Sequence, residues 1–188
     1  MKPFMKTTRS FVFTSLFLTL ALSFISLPAY AKTAQEIDSK ADVALERFRK
    51  ETYGSEDIIK RSKAMLIFPK VYKGGLVIGA EYGEGALRMN GKTVDYYSIA
   101  SGSLGFQLGG QVKTLLMFFM DDYALKSFRA SSGWKAGIDG SVALISVGAD
   151  GSIDTMKTDE PIVAVVMNQK GLMYNLTIEG AKFNKLVK

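Results

Sequence analysis

Apolar residues recur at helical spacing near the start of the chain. Between Thr33 and Tyr53, Ile37, Ala41, Ala44, Leu45 and Phe48 fall on one face, which predicts an amphipathic helix. Thr33 with Glu36 three residues on forms a capping-box pattern, and Gly54 sits where a left-handed residue ends a helix. Lys40 and Arg47 border the apolar face on one side and Arg49 on the other. Bases so placed reach lipid headgroups when a helix lies on a membrane, and are equally ordinary on a helix docked against its own domain. This helix carries four bases and five acids, so it is no polybasic anchor, and docking on the protein is the preferred reading. Ser55 is expected to cap a second, shorter helix through Asp57, Ile58, Ile59 and Arg61.

The period then changes from helical to alternating. Ala64 to Phe68 reads as a first strand stopped by Pro69, followed by strands over Leu76 to Glu81 and Gly85 to Met89. Asn90-Gly91 predicts a tight hairpin, because both residues tolerate the positive φ of a type I′ turn, and Thr93 to Ile99 returns from it. Leu104 to Gln111 alternates, and Val112 to Met120 is almost continuously apolar. Asp121-Asp122 opens a brief helix through Leu125 and Phe128. Further strands are expected over Trp134 to Ile138 and Ser141 to Val147, then a turn at Asp150-Gly151. A last hairpin joins Ile162 to Met167 with Leu172 to Ile178 around residues 168–171. Turn residues every 8–12 positions favour an antiparallel barrel or sandwich, and in-strand glycines such as Gly79, Gly83, Gly105 and Gly137 suit its bends. The expected fold is α+β: N-terminal helices packed on a glycine-rich antiparallel β-barrel or sandwich, one domain over residues 32–188.

The first 31 residues read as a secretory signal. Lys2, Lys6 and Arg9 precede an uncharged apolar run from Phe11 to Ile25, and Pro28-Ala29-Tyr30-Ala31 offers a small-x-small cleavage site before Lys32. A membrane anchor is the alternative, but the run is short of the ~20 residues a span needs. A periplasmic or secreted location is expected. The chain has no cysteine, which excludes a disulfide framework, thiolate metal sites and a lipidated N-terminal cysteine. Three of its bases and none of its acids lie in the leader, so residues 32–188 carry +3 of the full +6. Arg47 to Lys73 alone nets +5, leaving −2 elsewhere in residues 32–188. One basic region on a nearly neutral protein points to an anionic partner at one place, and not to nucleic acid.

With no histidine, a near-neutral general base, a Ser-His-Asp arrangement and a histidine zinc site are all unavailable. Asp121-Asp122 is better read as a helix cap, and Asp159-Glu160 as a turn before Pro161. Asp150 to Asp154 lacks the acidic spacing and closing glutamate of a calcium loop, and Gly79 to Gly85 lacks the lysine-hydroxyl pair of a phosphate loop. No enzyme, cofactor or metal is expected. The positive signal is Lys60, Arg61 and Lys63 beside the second helix, with Lys70 and Lys73 flanking the turn after the first strand. If the helix folds back, five cations would meet near Leu66 and Phe68.

Three glycine-punctuated stretches occur in order: Phe68-Pro69-Lys70-Val71-Tyr72-Lys73-Gly74-Gly75-Leu76-Val77-Ile78-Gly79, then Ser101-Gly102-Ser103-Leu104-Gly105-Phe106-Gln107-Leu108-Gly109-Gly110-Gln111, then Asn168-Gln169-Lys170-Gly171-Leu172 leading to Leu176-Thr177-Ile178-Glu179-Gly180. Together they resemble the SYLF family of lipid-binding domains, from about Ile58 to the C-terminus. The resemblance implies lipid binding by an amphipathic helix and a basic surface. The matching positions here are Ile37, Leu45 and Phe48 on the helix, and Lys60, Arg61, Lys63, Lys70 and Lys73 on the patch. An exported protein meets neither phosphoinositides nor actin, so anionic phospholipid or another anionic envelope component would be the partner, through peripheral membrane contact. The alternatives are an envelope protein-interaction or structural module with its own protein partner, and a carrier of an apolar ligand.

Overall fold

A computed structural model describes residues 32–75, 78–104, 109–147, 151–153, 159–171 and 178–188. The expected leader, residues 105–108 of the second glycine stretch, Asp150 and Asp154 of the acidic turn, and Leu172 to Thr177 of the last hairpin lie outside these. So do Leu76 and Val77.

Helix α1 spans Ala34–Glu51, with Thr33 as its N-cap accepting from the Glu36 amide at 3.2 Å. Helix α2, Ser55–Arg61, starts differently from the sequence expectation. Its N-cap is Gly54 at φ 83°, and Ser55 instead donates its hydroxyl to the Arg49 carbonyl. This bond ties the two helices together.

Eight strands follow: β1 Ala64–Gly75, β2 Ile78–Met89, β3 Lys92–Leu104, β4 Gly109–Phe119, β5 Trp134–Lys135, β6 Ala143–Ser146, β7 Ile162–Gly171 and β8 Lys182–Leu186. Helix α3, Asp122–Ala130, lies between β4 and β5 and is capped by Asp121, whose carboxylate accepts from the Ala124 amide at 2.9 Å. All eight strands belong to one sheet in the order β5-β8-β3-β2-β1-β4-β7-β6. Among the described residues the two ends of this order are not paired, so the sheet is an open, curled half-barrel rather than a closed barrel or a two-sheet sandwich. Nor is it wholly antiparallel, because β6 runs parallel to β7.

Two strand boundaries differ from the sequence reading for one physical reason. Pro69 does not end β1. The strand passes through it with a bulge between Phe68 and Val71, where the ladder to β4 is already interrupted and the missing proline N–H costs little. Likewise β2 is one continuous strand through Gly83 and Gly85. A Cβ at Gly85 would lie 2.4 Å from the Ile67 carbonyl oxygen, so glycine is what allows β1 and β2 to approach there. The Asn90-Gly91 turn is as expected, with φ of 51° and 76°.

The curl follows from which rings meet. On a flat sheet β3 and β4, three strand spacings apart in the order, would be separated by about 14 Å. Yet Phe128 of α3 lies 4.8 Å from Tyr97 on β3 and 4.9 Å from Phe119 on β4, centroid to centroid. Phe68 on β1 and Phe183 on β8, also three spacings apart, stand at 5.9 Å. The sheet therefore wraps around its inner face. That face carries Leu66, Phe68, Leu115, Met117, Phe119 and Ile99, closed by α3 and Trp134. The outer face carries Ile67, Leu116, Phe118, Val163 and Val165, on which α1 sets Ile37, Ala41, Ala44 and Phe48. Strands β1, β4 and β7 are thus buried on both faces, which explains their continuous apolar runs.

Candidate functional site

The C-terminal half of α1, the end of α2, the start of β1 and the β2–β3 hairpin enclose a cleft of about 300 Å³. Leu45, Ile59 and Met65 supply its apolar wall, and Arg49, Lys60, Lys63 and Arg88 its cations. α2 ends at Arg61, so Lys60 and Lys63 fall on either side of its C-terminus, where exposed carbonyls favour bases.

The four cations are not equivalent. Arg49 pairs with Glu56 at 3.4 Å. Arg88 is held almost fully buried: one guanidinium nitrogen meets the Asp42 carboxylate and the other donates to the Asp38 carbonyl at 3.2 Å. Asp38 in turn accepts from Thr93 at 2.7 Å and from Tyr96 at 2.8 Å, fastening α1 to the hairpin. The buried Nε of Arg88 has no acceptor among the described residues. Lys60 and Lys63 are exposed and make no ion pair among the described residues.

The structure divides the residues that the sequence grouped. Lys60 and Lys63 share the cleft. Arg61, one residue away, is tied to Asp159 at 2.9 Å and Asp57 at 3.3 Å, and these pairs raise its pKa further. Lys70 is exposed at the bulge, seven residues along from Lys63 and so roughly 20 Å away by strand rise. Lys73 is buried on the inner face. On α1, Ile37 and Phe48 are fully buried, Phe48 stacking on Phe118 at 5.5 Å, and Leu45 is half-buried beside them. The apolar face of α1 is therefore occupied by its own domain. The helix's bases are largely spoken for as well: Lys40 by Glu36, Arg47 by Glu51 and Lys50 by Glu46.

Sequence reasoning missed Arg88. It sits in an ordinary strand pattern with no neighbouring base, and only its distance from Asp38 and Asp42 in the chain hid the connection.

On the outer face beyond α1, Tyr72 and Tyr82 sit directly opposite one another on β1 and β2, each about half exposed, with Ile78 nearby on β2. Tyr82 donates to Glu84 at 2.9 Å, and Glu84 also receives the ammonium of Lys188 at 3.3 Å. Partial burial, then the bond to Glu84 and its charge, push the Tyr82 phenol up to about 12; burial and the Asp95 carboxylate do the same for Tyr97. Both folded values lie above the ordinary 10, so the fold favours the neutral phenol. That stabilisation is complete below pH 10 and is lost as pH rises from 10 towards 12. Phenolate absorbance should accordingly show a late step near pH 12, reduced in amplitude by Tyr82→Phe and by Tyr97→Phe. A single step centred on about pH 10, with nothing titrating later, would contradict both environments.

No helix among the described residues is long and apolar enough to cross a membrane, and no cluster of three or more potential metal ligands occurs among them. Residues 100–186 match the family model described as Ysc84: Las17-binding protein actin regulator. That segment begins near the end of β3 and runs through β8, so the cleft residues Lys60, Lys63 and Arg88 lie before it. No curated protein matches the chain.

Proposed function

We propose that this chain, a member of the SYLF family through residues 100–186, is an exported, non-enzymatic binding module that holds anionic phospholipid headgroups at the cleft between α1, α2 and the β2–β3 hairpin. The observation that carries the reading is the meeting of two ammonium groups unpaired among the described residues, Lys60 and Lys63, with the Arg88 guanidinium around one concavity with an apolar wall. A phosphodiester accepts from all three donor types, and Leu45, Ile59 and Met65 suit the glycerol and first methylenes below it. Contact is peripheral and electrostatic, because the apolar face of α1 is already used inside the domain.

Each base near an anionic surface contributes on the order of 1 kcal/mol, so Lys60→Glu with Lys63→Glu should weaken binding to phosphatidylglycerol vesicles at least ~30-fold. Lys126→Glu, on the exposed side of α3, should change it little. Binding should also fall steeply with salt, since exposed charges are screened within ~10 Å at 0.1 M. Co-sedimentation checks this. Equal binding to neutral vesicles, or no loss in the double variant, defeats the reading.

A second reading is favoured by a different observation. The matched family description names a protein-binding actin regulator, and the Tyr72–Tyr82 pair with Ile78 is an exposed apolar strip on the sheet. Vesicle-inert protein that loses a stoichiometric protein partner on Tyr72→Asp would establish protein interaction instead.

A further inference from the structure

The inner face of the curl changes character along its length. At the α3 end it is largely apolar, Asp95 being paired there with Arg129 and Lys185. Towards the other end β1 passes from Phe68 and Val71 to Lys73, and β4 from Met117 and Leu115 to Lys113 and Gln111. Register places these together: Lys73 lies directly opposite Glu81 on β2 and opposite Gln111 on β4, while Val71 lies opposite Lys113. All four polar side chains are buried, at 7 % exposure for Lys73, 4 % for Glu81, 3 % for Gln111 and 2 % for Lys113.

Their pairing is incomplete. Lys113 and Glu81 form an ion pair at 2.9 Å with both side chains almost wholly enclosed. One carboxylate thereby serves one ammonium. Among the described residues Lys73 makes no ion pair, and neither the amide nitrogen nor the carbonyl oxygen of Gln111 has a hydrogen-bond partner. One carboxylate between two ammonium groups leaves one excess positive charge, on the mostly buried Lys73, beside a fully enclosed Gln111 amide with both polar atoms unmet. Burying a charge and an amide in this condition is unfavourable unless something supplies the missing acceptors.

We propose that this polar end of the curl is a binding site for a small oxyanion, phosphate being the class that fits, held by the Lys73 ammonium and the Gln111 amide and braced by the Lys113–Glu81 pair. It is separate from the cleft at Lys60 and Lys63, on the opposite face of the sheet, and stands or falls independently of the proposal made for that cleft. The source of the phosphate is either a free ion or the head of a lipid.

Thermal unfolding in inorganic phosphate, against chloride at matched ionic strength, is the test, because a ligand bound only to the folded state raises Tm with its concentration. The protein should gain Tm with added phosphate. Lys73→Met and Gln111→Leu should each fold, with Tm in chloride equal to or above that of the parent, and should lose the phosphate-dependent gain. Lys60→Glu with Lys63→Glu should keep it. No phosphate-specific gain in the parent protein, or an undiminished gain in Lys73→Met, overturns the site. Phosphatidylglycerol vesicles then identify the source: reduced co-sedimentation of Lys73→Met indicates a lipid head, and unchanged co-sedimentation a free ion.

Discussion

Replacing Phe128 with alanine is expected to destabilise the domain by ~3–5 kcal/mol, a large share of the ~5–15 kcal/mol that holds a typical domain folded. Phe128 contacts four aromatic rings: Tyr97, Phe119, Trp134 and Phe183, at 4.8, 4.9, 5.3 and 5.9 Å. They come from β3, β4, β5 and β8, so one side chain joins strands across most of the sheet. Its removal leaves a cavity where the curl closes on itself, and the wrapped sheet cannot collapse into it without opening. Arg129, which pairs with Asp95 at 3.0 Å, would still tether α3, so the cost reports packing rather than loss of the helix. Urea unfolding measures the loss. The chain's single tryptophan, Trp134, lies in the same cluster, and its emission should shift to the red in the folded variant. A loss below ~1 kcal/mol with unchanged emission would show that α3 is not what holds the curl.

The second large effect is expected at Glu81. Glu81→Gln keeps the shape but removes the only carboxylate described at the polar end of the inner face, leaving the enclosed Lys113, with Lys73 beside it, without a counter-charge. Breaking one side of a buried pair in this way costs ~3–5 kcal/mol. Adding Lys113→Met to it should recover most of the loss, because the double change replaces the pair instead of orphaning one member. Both variants are read by chemical denaturation at neutral pH. If the single change is as mild as the double, the pair is not coupled as its 2.9 Å geometry requires. Phosphate should rescue Glu81→Gln more than it stabilises the parent, since the added anion meets a higher local charge.

Much of the local structure was legible from residue types. Thr33 and Asp121 cap helices because their side-chain oxygens accept N–H groups that a helix start leaves unpaired, and Asn90-Gly91 turns because both tolerate positive φ. The stripe from Ile37 to Phe48 on α1 was equally plain, since burial and period coincide there. What could not be read was the placement of Lys73, and the reason is the bulge at Pro69. Before it, Ala64, Leu66 and Phe68 face inward; after it, Val71 and Lys73 do. Without the extra residue, alternation would put Lys73 outside with Met65 and Ile67, where a basic patch would need it. A single-residue irregularity thus moved one predicted surface cation into the interior. The scatter of the other bases has a different cause. Arg61 found Asp159 across 98 residues of sequence, a pairing that no local pattern announces.

The open order of the sheet has one more effect, on how copies of the protein meet. An uncurled edge strand offers a ladder of idle backbone groups to any neighbour, and long flat edges invite stacking into larger bodies. Here the outermost members are only two and four residues long, Trp134–Lys135 and Ala143–Ser146. Such stubs by themselves give an incoming chain too little length to zip onto, so the outermost strands of the half-barrel are poor templates for growth.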